Sequence, residues 1–292
     1  MFRNLLWLLA PLALLSCAAK APERDVDPAL WVVRDRDTTI YLFGSVHALR
    51  PGLSWFDEAV KNAFDHSREL VVEVVMPPQA ETAAMLRELG ELPAGTRLSE
   101  QLPPELAKRV REALKRAGQR EDLVEKYEPW LAAIQLAVLP NRAEGYDSAY
   151  GVESVLTAAA RKSKKKVSGL ETPRQQFGYF DSLSPTAQQV LLGETLDSMT
   201  TAGTTLDQIV TAWGKGDTDT LARVMNEDLS KSPELTQALL IQRNRNWAGW
   251  VATRMRRPGV VFVAVGAGHL AGENSVQREL QRRGLRVTRI RY

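Results

Sequence analysis

The chain has 292 residues, 44% of them hydrophobic, with 38 Lys and Arg against 35 Asp and Glu. This excludes a disordered, collagenous or coiled-coil chain and provides for a sizeable core. The near-even charge, without a basic stripe interleaved with aromatics, argues against a nucleic-acid partner, and the single cysteine, Cys17, excludes an intramolecular disulfide and a Cys-based zinc cage.

Residues 1–16 read as a targeting signal, with Arg3 ahead of an apolar run at 5–15 that is short for a bilayer span. Leu14-Leu15-Ser16-Cys17 reads as a lipobox, which makes Cys17 the expected lipidation site and residues 17–28 a tether. The expectation is a membrane-anchored lipoprotein on the periplasmic or cell-surface side. Ala18, rather than Asp, after the cysteine favours the outer membrane. No later segment has the apolar length of a transmembrane helix.

Residues 29–34 and 38–43 predict a hairpin around Asp35-Arg36-Asp37. Further strands are predicted at 70–75, 166–170 and 260–265, with 286–290 closing the sheet. The continuous run Val260-Val261-Phe262-Val263-Ala264-Val265 reads as a strand covered on both faces. Helices are predicted from Pro104 to Gly118, at 128–138 and 151–160, from Ser184-Pro185, along the Leu206/Ile209/Val210/Trp213 stripe, from Ser232-Pro233 to about 256, and at 274–283. The fold class is therefore α/β: a mixed central β-sheet flanked by helices, one domain over 29–292, with a large helical insertion at about 80–255. The basic run at 161–166 reads as a solvated helix end favoured by the helix dipole.

The chemistry lies at predicted strand ends. Of three histidines, two follow a glycine by three residues, in Gly44-Ser45-Val46-His47 and Gly266-Ala267-Gly268-His269. Each motif directly follows an apolar strand, where open α/β sheets place their sites, and each glycine permits a sharp turn or a close approach. His66 lacks that context and reads as a surface or capping residue. Glu73 interrupts an apolar strand, where a carboxylate is costly unless paired, protonated or metal-bound. Glu171 ends another strand in the same way and is a weaker candidate. Arg243 and Asn244 interrupt the inward stripe of the long helix and form a candidate substrate-binding pair. A buried Arg requires a carboxylate or an anionic ligand. Two imidazoles and a carboxylate suit a divalent metal with open positions. The same set suits metal-free catalysis by a His general base, an orienting carboxylate and an Arg that stabilises negative charge. The residue pattern leaves both readings open.

Several blocks resemble the TraB/GumN family, whose animal relatives are the Tiki proteins. They are Ala29-Leu30-Trp31 through His47, Leu70-Val71-Val72-Glu73-Val74, Pro129-Trp130, Gly169-Leu170-Glu171-Thr172, Arg243-Asn244 and Val265-Gly266-Ala267-Gly268-His269-Leu270. The resemblance implies a fold like that of the erythromycin-esterase and ChaN-like haem-binding proteins. From the Tiki proteins it implies a manganese- or cobalt-dependent protease acting through His47, His269 and Glu73. From the esterases it implies a metal-free hydrolase with His47 as general base, and from the ChaN-like proteins a haem- or ligand-binding lipoprotein. An interaction protein with a vestigial site is a further alternative. The leading expectation is the metal-dependent hydrolase, in which His47, His269 and Glu73 hold the metal, Glu73 or Glu171 moves the proton and Arg243 binds a substrate carboxylate or oxyanion; the other readings are its alternatives. The substrate is a peptide or small molecule of unspecified identity, and no oligomeric state is implied.

Overall fold

The computed structural model describes residues 24–139 and 145–291, so the predicted signal and Cys17 lie outside the described residues. In chain order the elements are β1 (Arg24–Asp25), β2 (Leu30–Arg34), β3 (Thr38–Ser45), β4 (Leu53–Ser54), α1 (Glu58–His66), β5 (Glu69–Val74), α2 (Gln79–Gly90), α3 (Leu98–Gln101), α4 (Pro104–Arg116), α5 (Pro129–Ala137) and α6 (Val152–Lys162). There follow β6 (Lys166–Glu171), α7 (Pro173–Asp181), α8 (Pro185–Gly214), α9 (Thr218–Ser230), α10 (Pro233–Thr236), α11 (Gln242–Arg254), β7 (Gly259–Gly266), α12 (Val276–Arg282) and β8 (Val287–Ile290).

Six strands form one mixed sheet in the order β6-β5-β7-β3-β2-β8. The four strands from β6 to β3 are parallel; β2 runs antiparallel to both β3 and β8. The predicted hairpin is β2–β3, and the C-terminal strand closes the far edge of the sheet. Alternation along the strands divides the core in two. One face packs Phe43, Leu70 and Phe262 against α1, α6 and the end of α8, with Trp213 at its centre. The other packs Ile40, Leu42, Val71, Val261 and Val263 against Trp247 and Val251 of α11 and Leu280 of α12. Strand β7 contributes to both, as its continuous apolar run predicts. A separate helical cluster joins α3, α4 and α5 to the first half of α8.

Within the helical stretch at 80–255, the strand predicted at 166–170 is β6, which adds to the central sheet beside β5 and brings Glu171 back to the strand ends. The expected tether at 17–28 is folded from Arg24 onward: β1 pairs with β4, and Val26 is buried in the core. The long helix from Ser232-Pro233 contains a π-helical turn at Gln237–Ile241, one turn ahead of Arg243. Such turns locally change the face a helix presents and occur often at functional sites. Here the two consecutive residues Arg243 and Asn244 are both buried.

Candidate active site

The four parallel strands end at one edge of the sheet, and every candidate residue but those on α11 sits at or just past a strand end there. Ser45 registers with Gly266, so the two glycine–histidine turns leave neighbouring strands side by side. Gly44 permits their contact: a Cβ added there would lie 3.1 Å from the Ala267 Cα. The indole Nε1 of Trp213 donates to the Gly44 carbonyl at 2.8 Å and pins the first turn from below. At Gly266 an added Cβ would lie 3.1 Å from a Glu73 carboxylate oxygen, and the Gly266 amide donates to that oxygen at 2.6 Å.

Arg243 is the centre of the buried cluster. Its Nη2 donates to Glu73 at 2.8 Å and to Glu171 at 3.0 Å, and its Nε donates to Glu171 at 3.0 Å. Trp247 Nε1 donates to Glu171 at 2.8 Å, and Gln176 donates to Glu73 at 3.3 Å. Arg243 Nη1 lies 3.3 Å from His269 Nε2. The carboxylate that interrupts β5 is thus paired, and Arg243 serves as a two-carboxylate clamp. Burial pushes Glu73 up, but His269, protonated in the acid range where this carboxyl titrates, together with Arg243 outweighs it and holds Glu73 at about 2. For Glu171 burial wins, and its carboxyl is raised.

His269 packs on the Trp247 ring with centroids 4.4 Å apart. Its Nδ1 is 2.6 Å from Asn244 Oδ1, which can only accept, so the proton is on Nδ1 and the Nε2 lone pair faces Arg243. Burial lowers its pKa to about 4, leaving the ring neutral at pH 7. Asn244 is fully buried and its amide also donates to the Asn274 carbonyl at 2.7 Å. Its place is behind His269, which it orients, rather than on an accessible surface with a substrate.

His47 differs. Its side chain is 77% exposed, and Nδ1 lies 2.8 Å from Glu153 Oε1. The Ser45 hydroxyl donates to the same carboxylate at 2.5 Å. The Glu153 hydrogen bond raises His47 to about 9 against the opposing effect of desolvation. Burial opposes ionisation of Glu153, but the His47 and Ser45 hydrogen bonds hold it below its ordinary value. Glu153 was not singled out by sequence reasoning. In the first turn of α6 a glutamate reads as dipole compensation, and nothing local marks it as a histidine partner. His66 is an exposed residue at the end of α1, with Nδ1 on the Asn62 carbonyl, as expected.

As ligands to a metal, His47 and His269 have one suitable feature. Both Nδ1 atoms are held from behind, as in metal-ligating histidines. Yet the Arg243 guanidinium occupies Glu73 Oε2 and faces His269 Nε2, where a cation would have to bind. Among the described residues no three His, Cys, Asp or Glu side chains are grouped to hold a metal ion. In this arrangement His47, Glu73 and His269 do not fit a three-ligand site.

Fold and site together define an α/β protein with a histidine–carboxylate cluster at the carboxyl edge of its sheet. The chain belongs to the TraB/PrgY/gumN family, the match spanning residues 29–289. The uncharacterised protein YbaP of Escherichia coli (strain K12) is 25% identical over 256 residues, which cover 87% of this chain and 92% of that protein. Metalloprotease TIKI1 of Danio rerio is 23% identical, over 93% of this chain and 65% of its own length. No solved structure matches.

Proposed function

We propose that this chain is a hydrolase in which His47, oriented by Glu153, activates water for attack on a peptide or ester carbonyl. The observation that carries the reading is the 2.8 Å contact between His47 Nδ1 and Glu153, which leaves Nε2 of an exposed imidazole free. Nε2 takes the proton from water, and the Glu153 carboxylate stabilises the imidazolium that forms. Arg243 Nη1, which faces His269 while Nη2 and Nε engage the carboxylates, stabilises the developing oxyanion. Glu73 and Glu171 hold Arg243 rigid for that task, and His269 packs beside it. Because Glu153 holds His47 near 9, the base form accumulates only as pH rises, so the rate increases up to about pH 9.

The test is a screen of peptides and chromogenic esters across pH, with and without chelator. Chelator-resistant turnover lost in His47→Ala supports the proposal; turnover retained in that variant overturns it. The likeness to a protein named a metalloprotease favours a second reading, in which manganese or cobalt is bound after Arg243 moves away. Near-stoichiometric metal in the purified chain, lost in His47→Ala and His269→Ala, would replace the first reading with the second. A haem titration tests the ligand-binding alternative in the same samples. The lipid anchor on Cys17, and with it a periplasmic or surface location, is likewise a proposal. The mass of the mature N-terminus in the producing cell tests it.

A further inference from the structure

The edge of the sheet opposite the site is strongly basic. The segments that lead into or turn at that edge are 34–37, 65–68, 161–166, 254–258 and 282–286, because Thr38, Glu69, Lys166 and Gly259 begin the parallel strands together and Val287 registers with Val33. These 24 residues contain 14 of the 38 Lys and Arg and only three acidic residues, all Asp. Their net charge is +11 in a chain of net +3, so the rest of the molecule is net negative. The basic run at 161–166, read by itself as a solvated helix end, is one part of a row that the fold assembles from five separate segments.

Some of these cations have local partners: Lys166 pairs with Glu69, and Arg282 and Arg283 with Glu279. Arg34, Arg68, Lys162, Lys164, Arg256 and Arg286 are exposed, and among the described residues no hydrogen bond or ion pair engages their side chains. They come from every segment, and so extend along the whole edge. With strands about 4.8 Å apart, six strands make that row roughly 24 Å long. Neighbouring like charges repel, so concentrating them on one edge is unfavourable unless an anionic partner offsets the repulsion.

We propose that this edge docks on an anionic phospholipid surface. The row is built of tight turns and helix ends that carry exposed long basic side chains along one sheet edge, which suits a plane of phosphates. None of the 24 residues is Trp, Tyr or Phe, so the edge has no platform on which nucleic-acid bases could stack. The contact is distinct from an anchor at the N-terminus, because the chain enters at the site edge, where Leu30 of β2 registers with Phe43 of β3; on a single membrane the two contacts are alternatives. Docking at the basic edge therefore turns the site away from the bound surface.

The experiment is cosedimentation of residues 24–292, which contain the whole core described above, with phosphatidylcholine vesicles carrying 0 or 30% phosphatidylglycerol. Three proteins are compared: the wild type, Lys162→Gln/Lys164→Gln/Arg256→Gln/Arg257→Gln, and the charge-matched control Lys108→Gln/Arg111→Gln/Lys115→Gln/Arg116→Gln on exposed positions of α4. Circular dichroism verifies folding. Expected is binding to anionic vesicles only, weakened by salt. The edge variant should lose at least about tenfold in partitioning, from the contribution of each cation near such a surface, and the control much less. Equal loss in both variants would reduce the effect to net charge and overturn the proposal. So would no binding by the wild type, or tighter binding to duplex DNA than to the vesicles.

Discussion

Glu153 meets His47 at 2.8 Å because Gly151, two residues earlier, lies directly against the His47 backbone. The Val152 amide donates to the Val46 carbonyl at 3.0 Å, so the start of α6 is fastened to the first glycine–histidine turn. The exposed histidine is thus held from α6, while the half-buried one, His269, is held by Asn244 of α11.

Replacing Glu153 by Gln removes the main cause of the raised His47 pKa. The imidazole should titrate close to the ordinary 6.5 instead of about 9, which an NMR pH titration reads directly. In an active preparation the rising limb of the rate profile moves to lower pH, and the limiting rate falls roughly tenfold or more. An unchanged His47 titration would remove Glu153 from its role.

Gly151→Ala places a Cβ 2.0 Å from the His47 carbonyl oxygen, a distance that backbone has to yield to. The expected cost is about 1–3 kcal/mol. Denaturant unfolding measures the loss, and the same His47 titration reports displacement from Glu153. A neutral substitution would mean that the α6 start is not fastened as described.

Arg243→Met leaves Glu73 and Glu171 buried without their cation. Breaking a buried pair from one side costs about 3–5 kcal/mol, which corresponds to a fall in Tm of roughly 10 °C. Adding Glu73→Gln removes one stranded charge and should recover part of the loss. A single variant as stable as the wild type would show that the clamp contributes nothing to folding.

Acid should destabilise the protein through two groups acting in the same direction. His269 is lowered to about 4, so the unfolded chain takes up its proton first and stability falls as pH drops from 6.5 toward 4. Glu73 is held near 2, so its contribution is complete above its ordinary 4.5 and is lost as pH falls toward 2. His47 has the opposite sign: its contribution is present below 6.5 and disappears as pH rises through 9. Unfolding free energies across pH 3–10 should therefore peak between these limits. His269→Gln should flatten the limb between 6.5 and 4.

Much of this architecture is legible in the chain itself, because strand and helix patterns are local. The continuous apolar run of β7 declares a strand buried on both faces, and Pro and Gly mark where helices start and stop. The two glycine–histidine turns, the carboxylate inside β5 and the Arg-Asn pair facing inward are also local anomalies, each visible without a partner. What the chain alone determined is which residues are out of place in their elements. Their partners were decided by tertiary structure, since pairing depends on strand order and helix register, neither of which is a local property. Parallel neighbours β3 and β7 bring the two turns into contact, and β6 returns Glu171 to Arg243. The packing of Gly151 makes an ordinary first-turn glutamate the partner of His47. The basic edge has the same origin, five separate segments whose charges add only because the strands begin together.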